Sequence, residues 1–224
     1  MDEVRSRPWS DETLQAWTTE HRRVFADTVD ALGEEHASDP TLCEGWDVRT
    51  LTGHMLQPIR VPSWRFLLTA ARVRSMARAC DVVAARLSDR PLAEVADELR
   101  RRAGETSTPW YIGAAGPYAD SCIHLRDLAQ PQGLDVTVPV ERWETVVDII
   151  FSPRGRESFL PVRGLLDGLC WRATDTDRVW GEGPLVEGSA ESLAMATSGR
   201  TAYLDQLAGE GVAAVKERLA AAAW

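Results

Sequence analysis

The chain has 224 residues, of which 44% are hydrophobic and 26% charged, and its formal net charge is −9. That length suits one large domain, or one domain with a small appendage, and it buries a core without disulfides. The acidic balance argues against nucleic acid and anionic membrane as main partners, since both select basic surfaces, and the composition excludes disorder and collagen-like repeats.

The first helix is expected from Asp11 to Leu32. Ser10 offers an N-cap, Asp11 and Glu12 suit the positive end of the helix dipole, and Gly33 ends it. Leu14, Trp17, Val24, Phe25, Val29 and Leu32 give the helical rhythm. Residues 34–45 read as a loop. A second helix starts at Asp47, with Val48, Leu51, Met55 and Ile59 on its apolar side and Pro58 expected to kink it. Helical character resumes from Ser63 to Leu87 in more than one segment. Leu92 to Arg102 forms an amphipathic helix with Pro91 in its first turn. Residues 104–116 read as a loop, Pro117 to Leu128 and Val140 to Phe151 as helices.

After Phe151 the pattern changes. Residues 152–156, with Pro153 and Gly155, resemble a linker. Short strands are expected at 169–173, 178–180 and 184–187, and helices at 190–207 and 212–223. The reading is mainly α: a helical bundle over residues 1–152, followed by a small C-terminal α+β lobe over 153–224.

The N-terminus lacks the basic and apolar regions of a signal peptide, and no apolar run reaches the roughly 20 residues that span a bilayer. A cytoplasmic protein with no membrane partner is the expectation. Cys43, Cys80, Cys122 and Cys170 form no Cys-x-x-Cys pair, so four free and mostly buried thiols are expected.

Four histidines are present: His21, His36, His54 and His124. His21 sits beside Arg22 and Arg23, as on a solvated face, and His36 sits in a polar loop. His54 lies near the apolar side of the second helix. At about 100° per residue, Asp120 and His124 lie about 40° apart on one helix face, with Asp127 on the same side and Cys122 turned away. An aspartate and a histidine at this spacing grip a divalent ion from one turn of helix, and His54 is the candidate third ligand. Two histidines and a carboxylate leave an open coordination position, as in catalytic zinc sites. Asp127 is a candidate for orienting a histidine. A satisfied core histidine at 54 and a surface polar pair at 120 and 124 remain the bland alternatives. No glycine-rich phosphate loop and no serine triad is recognisable.

The segment Thr41-Leu-Cys-Glu-Gly-Trp46-Asp-Val-Arg-Thr-Leu-Thr-Gly-His54 resembles the opening of the metal-bearing helix in the DinB-like superfamily. Asp120-Ser-Cys-Ile-His124-Leu-Arg-Asp127-Leu resembles the second ligand helix of its mycothiol-dependent maleylpyruvate isomerase branch. Ala173-Thr-Asp175, Trp180-Gly-Glu-Gly183-Pro, Val186-Glu-Gly188, Gly199-Arg200 and Leu207-Ala-Gly209 resemble the small C-terminal lobe of that branch. The resemblance implies a four-helix bundle with a metal, Zn²⁺ or another divalent ion, on His54, Asp120 and His124. It also implies mycothiol as cosubstrate, and at Arg200 an arginine used near the active site. The isomerase itself has glutamate at the acidic position, so Asp120 departs from it by one methylene.

What the resemblance implies is a metal-activated thiolate attacking a small electrophile, with release of the thiol giving isomerisation and its retention giving S-transfer. A non-catalytic metal- or ligand-binding protein is the alternative. Trp46, Arg60, Trp64 and Trp110 are candidate pocket residues.

Overall fold

The computed structural model describes residues 9–105 and 112–221. They fall into two compact units, one up to Val136 and one from Thr137.

In the first unit, α1 spans Asp11–Leu32, and the Ser10 hydroxyl accepts a hydrogen bond from the Thr13 amide at 3.1 Å. Helix α2 spans Val48–Arg60, and the Asp47 carboxylate caps it by accepting from the Thr50 amide at 2.7 Å. It continues through Pro58 for two further residues. The expected helical stretch after Ser63 divides into α3, Ser63–Val73, and α4, Met76–Leu87. The break is at Arg74, whose φ of 56° stops α3, and at Ser75, whose side chain caps α4. Helix α5 spans Leu92–Arg102, and α6 spans Ala115–Ala129, starting two residues ahead of the expected Pro117.

Helices α1, α2, α5 and α6 pack against one another as a four-helix bundle, and α4 lies against α2 with α3 on its far side. Eleven residues of α6 are buried, and within this unit it packs on α1 and α2. Gly53 on α2 sets the closest approach in this unit: a Cβ there would stand 2.4 Å from the Ala84 carbonyl oxygen on α4. Only glycine allows that contact without a shift.

The second unit contains α7 (Val140–Phe151), α8 (Pro153–Phe159), β1 (Cys170–Ala173), β2 (Val179–Trp180), β3 (Leu185–Gly188), α9 (Ala190–Thr197) and α10 (Val212–Ala220). The sheet order is β2-β1-β3. Strand β1 pairs antiparallel with β2, Trp171 opposite Trp180, and parallel with β3, Trp171 opposite Val186. Trp143, Trp171, Ile150 and Leu193 fill its core.

Three expectations change here. The linker at 152–156 is the start of α8, because Ser152 caps it and Pro153 occupies the first turn that proline favours. Helix α7 packs on α8 and α9, so the break between units falls one helix ahead of residue 152. The expected helix 190–207 ends at Thr197, where Gly199 with φ of 92° turns the chain into a 3₁₀ helix over Thr201–Gln206. All four thiols are free, but only Cys122 is fully buried. No helix among the described residues is long and apolar enough to cross a membrane.

Candidate metal centre

The loop before α2 folds back on itself. The Thr41 amide donates to the Trp46 carbonyl at 3.2 Å, and the Trp46 amide donates to the Cys43 carbonyl at 3.0 Å. Gly45, with φ of 77°, supplies the left-handed residue this turn needs. The Leu42 amide donates to the Asp127 carbonyl at 3.1 Å and so ties the loop to α6. The loop thereby delivers Cys43 and Trp46 to the place where α2 and α6 face each other.

There His54 on α2 meets Asp120 and His124 on α6. His54 Nε2 is 3.5 Å from Asp120 Oδ2, and His124 Nε2 is 3.2 Å from Asp120 Oδ1. The ligand atoms of the three residues lie within 4.8 Å of one another. Both histidines are buried. Their rings stand edge to face with centroids 4.8 Å apart, and the Trp46 ring lies 4.8 Å from His54 and 6.1 Å from His124. The Trp46 indole nitrogen donates to Asp81 on α4 at 2.9 Å, which fixes the ring in place.

Asp127 completes the arrangement. Its side chain has no exposure, and its Oδ2 is 2.8 Å from His124 Nδ1. A carboxylate at Nδ1 keeps a proton on that nitrogen, so Nε2, which faces Asp120, is the nitrogen available to a metal ion. His54 Nδ1 is buried without a hydrogen-bond partner, so packing under Trp46 positions that ring instead. Burial alone would neutralise Asp120, but the adjacent imidazoles outweigh it and hold its carboxyl well below the usual range. Burial likewise opposes charge on His124, yet Asp120 and Asp127 push its pKa up to about 9. A divalent cation held by this cluster would take the place of that proton. Two imidazole nitrogens and a carboxylate at these separations are a donor set suited to Zn²⁺.

Other candidates lie elsewhere. His36 pairs with Asp39 at 2.7 Å in its loop. His21 and Arg22, expected on a solvated face, are buried at 1% and 3% exposure because α1 is flanked by both α5 and α6. His21 Nδ1 meets Ser121 at 3.2 Å, and Arg22 Nη1 donates to the Ala103 and Glu105 carbonyls beyond the end of α5. Arg60 pairs with Glu98 at 3.2 Å. Trp64 is 62% exposed on α3. Trp110 lies outside the described residues. Arg200 belongs to the second unit, where its Nη1 donates to the Ser198 carbonyl at 2.7 Å.

Two cysteines join the picture that spacing did not suggest. Cys43 lies with His124 and Asp127 in a second group of close donor atoms, and its position depends on the loop contact from Leu42. Cys80 on α4 accepts from Gln57 at 3.9 Å, and burial raises its thiol to about 11. It is therefore protonated at neutral pH.

Residues 18–120 match the family described as the mycothiol maleylpyruvate isomerase N-terminal domain. Two solved structures are similar in fold: the crystal structure of the mycothiol-dependent maleylpyruvate isomerase and that of a histidine-to-alanine mutant of it. They share 15% and 14% identity with this chain, and each has a TM-score of 0.60, covering 90% of this chain and 93% of the other. No curated protein sequence matches the chain.

Proposed function

We propose, from the match of residues 18–120 to the mycothiol maleylpyruvate isomerase N-terminal domain family, that the chain is a metal- and mycothiol-dependent S-transferase or isomerase acting on a small electrophile. The observation that carries the proposal is the convergence of His54 Nε2, His124 Nε2 and the Asp120 carboxylate within 4.8 Å. These three residues would hold the divalent ion. When bound there, the metal supplies Lewis acidity that makes a thiolate available at neutral pH.

The chain's own groups do the rest. Asp127 holds the proton on His124 Nδ1, so that Nε2 is always the donor. Asp120 brings the single negative charge of the donor set, which leaves a bound divalent ion net positive and attractive to an anionic sulfur. Trp46 covers both imidazoles with an apolar ring and keeps water from that side. Neither Cys80, held protonated by burial, nor Cys122, fully buried, is arranged as the nucleophile, and Cys43 lies among the donor atoms beside His124 and Asp127. A low-molecular-weight thiol from solution fits that shortage. The resemblance assigns Arg200 a role near the active site, and a planar guanidinium matches a carboxylate in geometry.

The test begins with metal stoichiometry by plasma mass spectrometry on tag-free protein. The expected result is about one zinc per chain, since the two groups of close donor atoms share His124, and its loss in both His124→Ala and Asp120→Ala. Mycothiol-dependent turnover of maleylpyruvate or an aryl halide should accompany it. Product analysis separates isomer from S-conjugate. Wild-type protein that takes up no metal after zinc reconstitution overturns the proposal.

A further inference from the structure

The charge of this protein is unevenly spread. The chain carries −9, yet positions 60–90 contain seven arginines, Asp81 and Asp89, and no other charged residue, a local net charge of +5. That segment is the α3–α4 hairpin with its flanks. Arginines at the ends of that segment and elsewhere in the first unit find carboxylates: Arg60, Arg90 and Arg102 pair with Glu98, Arg49 with Glu34, and Arg100 with Asp27, Asp30 and Asp97. Arg65, Arg72 and Arg86 make no ion pair and no side-chain hydrogen bond to any described residue. In a protein with excess acid, three adjacent cations without a counter-charge stand out.

The same hairpin exposes apolar surface. Ala70 is the one buried residue of α3. Trp64, Leu67, Leu68 and Met76 are 62%, 51%, 45% and 53% exposed. Val61, Trp64, Leu68, Val83 and Leu87 line a groove of about 420 Å³ between α3 and α4, together with Thr69 and the three unpaired arginines. No carboxylate lines it, and none of His54, Asp120 and His124 does. Its volume falls in the range of small-molecule sites, roughly 300–1,000 Å³. Arg65 stacks on the Trp64 ring at 5.1 Å, which holds one guanidinium over apolar surface.

We propose that the α3–α4 groove is a binding site for a free anionic amphiphile, a medium-chain carboxylate, with its chain along Val61, Leu68, Val83 and Leu87 and its head group on Arg72 and Arg86. Guanidinium forks match a carboxylate in geometry as well as in charge. A second copy of this chain fits poorly, because a two-fold contact sets the arginines of one groove against their own copies. A lipid bilayer fits poorly as well, since it meets the whole protein, whose remaining surface is acidic, whereas a single amphiphile meets only the groove.

The experiment is calorimetric titration of the full chain with decanoate below its micellar concentration, with decyltrimethylammonium as the matched cationic chain. The expected result is one saturable site for decanoate, at least tenfold tighter than for the cation. Arg72→Glu/Arg86→Glu and, separately, Leu68→Asp should each weaken decanoate at least tenfold while metal content and melting temperature stay at wild-type values. If the double variant fails the circular dichroism check for folding, Arg86→Gln is read in its place, with a smaller loss expected. The proposal is overturned by a non-saturable decanoate isotherm, by equal binding of the two chains, or by an isotherm that the arginine variants leave unchanged. Recruitment to phosphatidylglycerol vesicles without a decanoate site assigns the groove to a membrane. Concentration-dependent dimers abolished by Leu68→Asp, again without a decanoate site, assign it to self-association. Either result overturns the proposal as well.

Discussion

Where α2 meets α6, charged and polar groups are inside the bundle and face one another: His54 and His124 point at Asp120, and Asp127 stands behind His124. Along α3 and α4 the apolar and cationic groups are outside and face water: Trp64, Leu67 and Leu68 beside Arg65, Arg72 and Arg86. Buried polar groups are costly unless paired, and the pairs that Asp120 and Asp127 make with the two histidines fix the inner cluster's geometry, His54 Nδ1 alone among these ring nitrogens lacking a partner. Exposed apolar surface beside these arginines finds no counter-charge among the described residues, and the proposed anionic amphiphile would supply one. The inner site thus depends on precise packing, and the outer groove on surface chemistry alone.

The comparison breaks most sharply at the inner ligands. His54→Ala removes one of the three donors, and zinc affinity measured by chelator competition should fall by more than about 1,000-fold, while the bundle keeps its helix content. The next largest effect is expected at Gly53→Ala. The new methyl group meets the Ala84 carbonyl at 2.4 Å. Stability in urea should drop by about 1–3 kcal/mol, and zinc affinity should fall with it, because α2 carries His54.

Asp127→Asn keeps the shape but loses the charge that fixes the His124 tautomer. Zinc affinity should weaken about 10- to 100-fold with little change in melting temperature. A change in stability equal to that of Gly53→Ala would mean that Asp127 holds the fold rather than the ligand.

Glu98 sharpens the contrast between paired and unpaired arginines. Burial works against its charge, but hydrogen bonds from Arg90 and Arg102 and the nearby Arg60 outweigh it and lower its pKa. Its stabilisation is therefore present above the unfolded carboxyl value of about 4.3 and is lost as pH falls through the lower folded value. Glu98→Gln should cost about 1–2 kcal/mol at pH 7, since its arginine partners are only partly buried. The gap to wild type should close in acid, as read from urea midpoints across pH. The smallest effect belongs to the hairpin. Arg72→Gln should change stability by no more than about 0.5 kcal/mol, because that side chain makes no ion pair or hydrogen bond with any described residue.

Much of this was legible along the chain. Ser10, Asp47 and Gly33 mark helix ends, because capping is a local exchange of hydrogen bonds that neighbouring residues decide. Asp120, His124 and Asp127 share a helix face by periodicity alone. The linker expected at 152–156 shows the limit of composition: Pro153 and Gly155 occur in linkers, but with Ser152 before them they start a helix. Gly155 is needed there, as a Cβ would fall 1.7 Å from the Ile149 carbonyl oxygen.

Other features come from contacts between residues far apart in sequence. His21 and Arg22 read as solvent-facing because charge runs usually are, and only the packing of α5 and α6 on both sides of α1 buries them. Cys43 reaches His124 through one loop-to-helix hydrogen bond, and Trp46 is held over the histidines by Asp81, 35 positions away. The sequence by itself determined the helices, their ends and the spacing of the donor residues, because these follow from local hydrogen bonding and periodicity. Tertiary structure decided which donors converge, which charges are buried and which arginines are left unpaired, because each depends on what the chain brings alongside from a distance.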